Sequence, residues 1–205
     1  MEGTATAAGR RTWTRAGALR AALAGGAAVA GGAAIGARPG AGTSLASPSA
    51  GTDADILNLF LRLERVQEAF YRAALDAGHL DGELLAYATT VVRQEQRHVA
   101  FLAKRLGGRA EAPPRTSFAE VIDSSASFRN AAVDLEEAAI AAYIGQGANL
   151  TRRLMSSVAA LVSVEARQVA WVRDLAGISP APRAADPARK ADDVLAQLRK
   201  RGWLQ

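Results

Sequence analysis

Apolar residues recur near the helical period along four long stretches of this chain, and text rich in glycine, proline or polar residues separates them. In the first stretch, 53–77, the apolar positions are Ile56, Leu57, Phe60, Leu61, Leu63, Phe70, Tyr71 and Leu75; Thr52 or Asp53 is placed to cap its start, and Gly78 to end it. The second, 81–106, carries Leu84, Leu85, Ala88, Val91, Val92, Val99 and Leu102, and Gly107-Gly108 terminates it. A third stretch covers 125–146 and a fourth 151–176, closed by Gly177. No segment alternates with period two over a useful length, so the pattern predicts an all-α fold without a sheet.

The connections constrain the topology. A few residues join helices one and two, and three and four, which predicts two antiparallel pairs. The join between helices two and three is about 18 residues, enough to run the length of a bundle. Its Phe118, Val121 and Ile122 are placed to pack as the segment passes over the surface. A fifth helix is expected over 187–201, with Asp186 as cap, Pro187 in the first turn and Gly202 beyond the end. Val194, Leu195 and Leu198 give it an apolar edge to cover the bundle or to meet another subunit in a homo-oligomer.

Ahead of the helices the text changes character. Arg10-Arg11-Thr12-Trp13-Thr14-Arg15 resembles a twin-arginine export signal, and the weakly apolar, glycine- and alanine-rich run 16–37 suits that route. The competing reading, an uncleaved transmembrane helix, calls for about 20 strongly apolar residues. Residues 1–37 are therefore expected to be a signal peptide, cleaved after Ala37 or Ala46, and 38–52 a flexible linker. The bundle would occupy 53–177 and a C-terminal tail 178–205. This division implies passage through the twin-arginine machinery to the periplasm, the cell envelope or the medium.

Charge and cysteine content narrow the chemistry. The net charge of +5 owes much to the N-terminus, for without residues 1–37 there remain 21 basic and 19 acidic side chains. The basic residues are scattered, with no stripe and no aromatic platforms, so nucleic acid is not an expected partner. The chain has no cysteine, which excludes disulfides, thiolate metal sites and cysteine nucleophiles.

Four glutamates interrupt the apolar stripes in phase with them. Glu64 lies among Phe60, Leu61 and Tyr71, and Glu95 among Val91, Val92 and Val99. Glu136 lies among Val133, Ile140 and Tyr143, and Glu165 among Leu161, Val162 and Val169. Each stands near mid-helix, so antiparallel packing brings the four to one level. A carboxylate facing a bundle core costs several kcal/mol unless something compensates it, and a cation between the four is the natural compensation. In Glu95-Gln96-Arg97-His98 a carboxylate and an imidazole stand one turn apart on one helix face. One helix can thereby offer a bridging oxygen and a terminal nitrogen to the same metal pair.

Two hairpins joined by a long crossover and carrying these residues resemble the ferritin-like superfamily over 53–177. Leu63-Glu64 with Phe70-Tyr71, Ala141-Ala142-Tyr143 and Val164-Glu165-Ala166-Arg167 are similar to text of bacterial exported ferritin-like domain proteins. The resemblance implies an antiparallel four-helix bundle with a short C-terminal helix. It also implies a carboxylate-bridged dimetal site for Fe or Mn, with Glu64, Glu95, His98, Glu136 and Glu165 as ligands in order. Tyr71, two turns after Glu64, resembles a tyrosine that ferritins hold beside the site against a ligand carboxylate; ordinary core packing is the other reading.

One position departs from the family's pattern. Gln168 stands where a second histidine belongs, which leaves it as a weak ligand or a neighbour of the ligands. The second metal position is then weak, transient or lost, and the expected centre is dinuclear or, without that position, mononuclear. The other histidine, His79, would lie about 22 Å along the first helix from Glu64. Glu68, one turn from Glu64, and Glu137 are expected to be solvated; assisting the site is their other reading. The resemblance implies oxidation of Fe(II) with dioxygen or peroxide, or a manganese-catalase-like reaction. The alternative is a non-catalytic structural or stress-associated protein with a degraded site.

Overall fold

Five helices follow one another in the computed structural model, which describes residues 50–205. Arg10, Arg11, the expected signal peptide and linker residues 38–49 lie outside the described residues. Helix α1 spans Ala50–Ala77 and α2 Gly82–Leu106, and they form the first hairpin. Helices α3, Ser125–Gly147, and α4, Arg152–Leu175, form the second, and α5 is Ala191–Lys200. The described residues contain no strand, only an isolated bridge between Thr116 and Leu204. Nor is any helix among them long and apolar enough to cross a membrane. The fold is an all-α, ferritin-like antiparallel bundle with a long crossover between α2 and α3.

Local chemistry sets the helix ends. Gly78 and Gly177 follow α1 and α4 with φ of 71° each, a backbone conformation that costs a glycine nothing. Ser124 caps α3 by accepting a hydrogen bond from the Ser127 backbone N–H at 3.1 Å. Asp53 does not cap the start of α1 but lies inside that helix. Its carboxylate instead accepts from the Thr151 backbone N–H at 2.8 Å and the Thr151 hydroxyl at 2.6 Å, tying α1 to the residue that precedes α4.

The crossover is fastened to the bundle along its course. Asn58 donates to the Arg109 carbonyl at 3.0 Å and accepts from the Glu111 N–H at 2.9 Å, so a single α1 side chain satisfies two backbone groups. Phe118 packs edge-on against Phe70, with ring centroids 5.4 Å apart. Val121 and Ile122 pack on the same cluster. The chain's last residues close over this segment, with Gln205 N–H donating to Arg115 O at 3.0 Å.

Two expectations need correction. Helix α5 begins at Ala191 rather than near Pro187, and Asp186 does not cap it. Buried Arg173 claims that carboxylate at 3.2 Å, together with Glu137 at 2.9 Å and the Pro180 carbonyl at 3.4 Å. A buried guanidinium needs such partners, and the extended run before α5 supplies two of them. Leu85 is 42 % exposed despite its place in the apolar pattern of α2. Val194, Leu195 and Leu198 are buried against the bundle with Phe118 and Trp203, so this edge covers the chain's own core.

The tail crosses α3 at very close range. Arg189 N–H donates to Ala141 O at 2.9 Å, and a β-carbon on Gly145 would stand 2.0 Å from the Arg189 carbonyl oxygen. Gly145→Ala would gain about 1 kcal/mol of helix propensity. Displacing a neighbouring backbone costs more, about 1–3 kcal/mol. The variant is therefore expected to melt at a lower temperature and to expose residues 178–190 to proteolysis. Calorimetry and limited digestion against wild type check this, and an unchanged melting point would contradict the close approach.

Candidate metal centre

The bundle core is interrupted. One apolar cluster gathers Phe70, Tyr71, Tyr87 and Phe128 with the crossover and α5, and a second gathers Ile56, Leu57, Phe60, Leu61, Leu102 and Leu150. Between them lies a polar layer fed by all four bundle helices. Glu64, Gln67, Glu95, Glu136 and Glu165 are 0 % exposed, Gln168 is 2 % and His98 7 %. The alternation of apolar and polar text thus places seven hydrogen-bonding side chains where water is excluded.

Four of these converge on one point. Single ligand atoms of Glu64, Glu95, His98 and Glu165 all lie within 4.8 Å of one another. His98 Nδ1 is 3.1 Å from Glu64 Oε2, 3.0 Å from Glu165 Oε1 and 3.4 Å from Glu95 Oε2. A ring nitrogen carries at most one proton, so it satisfies one of the three oxygens. Glu95 Oε2 and Glu165 Oε1 are buried without a hydrogen-bond partner.

These separations suit a shared cation. Small divalent ions bind nitrogen and oxygen at about 2.1 Å, which sets neighbouring ligand atoms about 3.0 Å apart in an octahedron and about 3.4 Å in a tetrahedron. Carboxylate oxygens with one imidazole form a hard donor set appropriate to Fe or Mn. The residues therefore fit a bound cation, and the two orphaned oxygens are the groups it would satisfy.

Glu136 is buried in the same layer but outside that group of four. Its Oε1 accepts from the Tyr71 hydroxyl and its Oε2 from Gln67 Nε2 at 3.2 Å. Gln168 reaches the layer too, donating to Glu95 Oε1 at 2.7 Å and to Gln94 Oε1 at 3.0 Å. His79 takes no part; its carbonyl accepts from the Ser125 hydroxyl at 2.6 Å. Glu68 pairs with Arg72, and Glu137 with Arg173.

The tyrosines form a reciprocal pair. Tyr71 of α1 donates to Glu136 of α3, and Tyr143 of α3 donates to Glu64 of α1. Glu64 to Tyr71 and Glu136 to Tyr143 are the same spacing, so two antiparallel helices exchange one contact twice. Tyr87 adds a 2.9 Å contact to the Tyr71 hydroxyl. Sequence reasoning passed over Gln67, Tyr87 and the role of Tyr143. The available signals were Gln67 at three residues after Glu64, the spacing of Glu95 and His98, and the repeated glutamate–tyrosine interval.

Crowding sets the electrostatics. Burial and the neighbouring Glu165 charge push Glu136 up to about 8, and burial with the Glu64 charge pushes Glu165 up to about 7. Burial, reinforced by Glu165 and Glu64, raises Glu95 well above the carboxylate range. Burial also acts to raise Glu64, but contacts with Glu95, His98 and Tyr143 outweigh it and hold that carboxyl below its ordinary value. Burial acts against charge on His98, yet Glu165, Glu64 and Glu95 overcome it and push the imidazole up to about 12. Without a metal, protons and one imidazolium balance the layer.

Comparison with known proteins agrees with the architecture. Residues 52–177 match the family described as a ferritin-like domain. No curated protein matches the chain.

The apo protein is expected to lose stability as pH rises. Glu136 and Glu165 keep protons in the folded state that an unfolded carboxyl, near 4.5, has released, so folding binds protons between pH 4.5 and about 8. His98 acts in the same direction: its stabilisation is full below 6.5 and is lost as pH climbs toward about 12. Each differential proton is worth up to about 1.4 kcal/mol per pH unit. A cation must expel these protons to bind, so the loaded protein should show the opposite trend. Melting temperatures of chelator-treated and Mn(II)-loaded protein from about pH 5 to about pH 8 check both slopes; parallel slopes would contradict the shared site.

Proposed function

The chain belongs to the ferritin-like domain family, and from that premise we propose that it is an exported protein binding Fe or Mn in its bundle core. Glu64, Glu95, His98 and Glu165 would hold the metal. One observation carries this reading: three carboxylate oxygens stand 3.0–3.4 Å from a single imidazole nitrogen, and two of them have no hydrogen-bond partner.

Iron or manganese bound there would supply redox chemistry toward dioxygen or peroxide. The chain's own residues do the rest. Tyr143 fixes Glu64 so that its second oxygen faces His98, and the apolar clusters on either side keep bulk water away. His98, 7 % exposed where the four glutamates are fully buried, marks the side on which the centre lies nearest solvent.

The non-catalytic alternative also has an observation in its favour. Amide donors from Gln67 and Gln168 already satisfy oxygens of Glu136 and Glu95 without any ion. Metal content decides between the two. Wild type purified after export should carry Fe or Mn, and Glu95→Ala and His98→Ala should each lower the affinity at least tenfold while leaving the helical content intact. At a hundredfold excess over the dissociation constant, the metal should stabilise wild type by about 2.7 kcal/mol and the variants by much less. Full metal content in a folded Glu95→Ala protein would refute the assignment.

Export has its own test. Replacing Arg10 and Arg11 by lysine is expected to leave precursor in the cytoplasm, scored by fractionation and immunoblotting. Undiminished secretion of the double variant would rule out the twin-arginine route.

A further inference from the structure

We infer that this centre takes one ion, and that the side-chain amide of Gln67 stands where a second would sit. The inference rests on the metal-binding reading above and concerns the number of ions. On the family's pattern Glu95 and Glu165 would bridge two ions, and each has one oxygen 3.0–3.4 Å from His98 Nδ1 and one that accepts from a glutamine amide. On one side Glu95 Oε2 and Glu165 Oε1 lie 3.4 and 3.0 Å from His98 Nδ1, without hydrogen-bond partners. On the other side Glu165 Oε2 and Glu136 Oε2 lie 3.4 and 3.2 Å from Gln67 Nε2. The other oxygen of Glu95, Oε1, accepts from Gln168 Nε2 at 2.7 Å.

The two sides therefore differ in kind. Glu95 Oε2 and Glu165 Oε1 lack donors beside His98, whereas Glu95 Oε1, Glu165 Oε2 and Glu136 Oε2 already accept from amides. The orientation of Gln67 follows from its surroundings. Toward the ionised form of these two carboxyls its NH₂ end donates and its oxygen end would repel. The amide oxygens of Gln67 and Gln168 are both buried without a partner, which is the cost of turning their donors toward carboxylates. A second ion would have to break the contacts of Gln67 to Glu136 and Glu165 and reverse the amide. A neutral amide at this point gives the carboxyl oxygens a donor without adding charge.

Titration of the chelator-treated full-length protein with Mn(II), read by calorimetry and electron paramagnetic resonance, tests this. Wild type is expected to bind one ion per chain and to give the spectrum of an isolated Mn(II). Gln67→Glu replaces the donor with a ligand and should bind two ions with an exchange-coupled spectrum. Gln67→Ala removes the amide without adding charge and should also admit a second, weaker ion; it serves if the charged variant does not fold. Two ions in wild type would overturn the inference and leave the metal reading standing. One ion in wild type and in both folded variants would overturn the role of Gln67. No binding in wild type would remove the metal reading, and the inference with it.

Discussion

The desolvation of four carboxylates at one level of the bundle is the constraint to which the rest of the structure answers. Each would cost several kcal/mol if left charged and unpaired. The surrounding side chains are those that reduce this cost: an imidazole, two tyrosine hydroxyls aimed at glutamates, and two amides. The layer also fixes register. Sliding any helix by one turn would move its glutamate into an apolar cluster and leave a partner on another helix without a donor. Helix packing alone tolerates small shifts; this layer does not.

Much of this was legible in the sequence because helical phase is a strong signal over 20 or more residues. Glu64, Glu95, Glu136 and Glu165 each sit where an apolar residue would continue the stripe, and all four are buried. The long join after Leu106 specified the topology, since a short one would have forced a different pairing of helices. What escaped depends on contacts between distant segments. Gln67 looks like an ordinary polar residue until α3 and α4 bring Glu136 and Glu165 to it. Asp186 reads as a helix cap only while Arg173, thirteen residues earlier, is not seen to be buried and in need of a partner. Leu85 fits the stripe of α2 but falls where no neighbouring element covers it.

The two hairpins are alike in some residues of the polar layer and unlike in others. Glutamate and tyrosine repeat with one spacing on α1 and α3, and their contacts are reciprocal. The Glu-x-x-His of α2 is answered on α4 by Glu-x-x-Gln, and α1 adds a Gln67 that α3 matches with Ala139. Tyr87 likewise braces only Tyr71. A scaffold with near two-fold character thus surrounds a centre that lacks it, with His98 on one side and amide donors on the other.

The reciprocal contacts join residues 65 and 79 positions apart, and each joins one hairpin to the other. A hairpin alone therefore leaves the tyrosine contact of its glutamate unmade, and that carboxylate oxygen keeps its water until the two halves meet. Water leaves the acidic layer only when the two hairpins dock. Before that stage the carboxylates are open to ions in solution; afterwards the way in is the edge at His98. On the metal-binding reading proposed above, the order in which the chain closes and an ion arrives would govern how the centre fills.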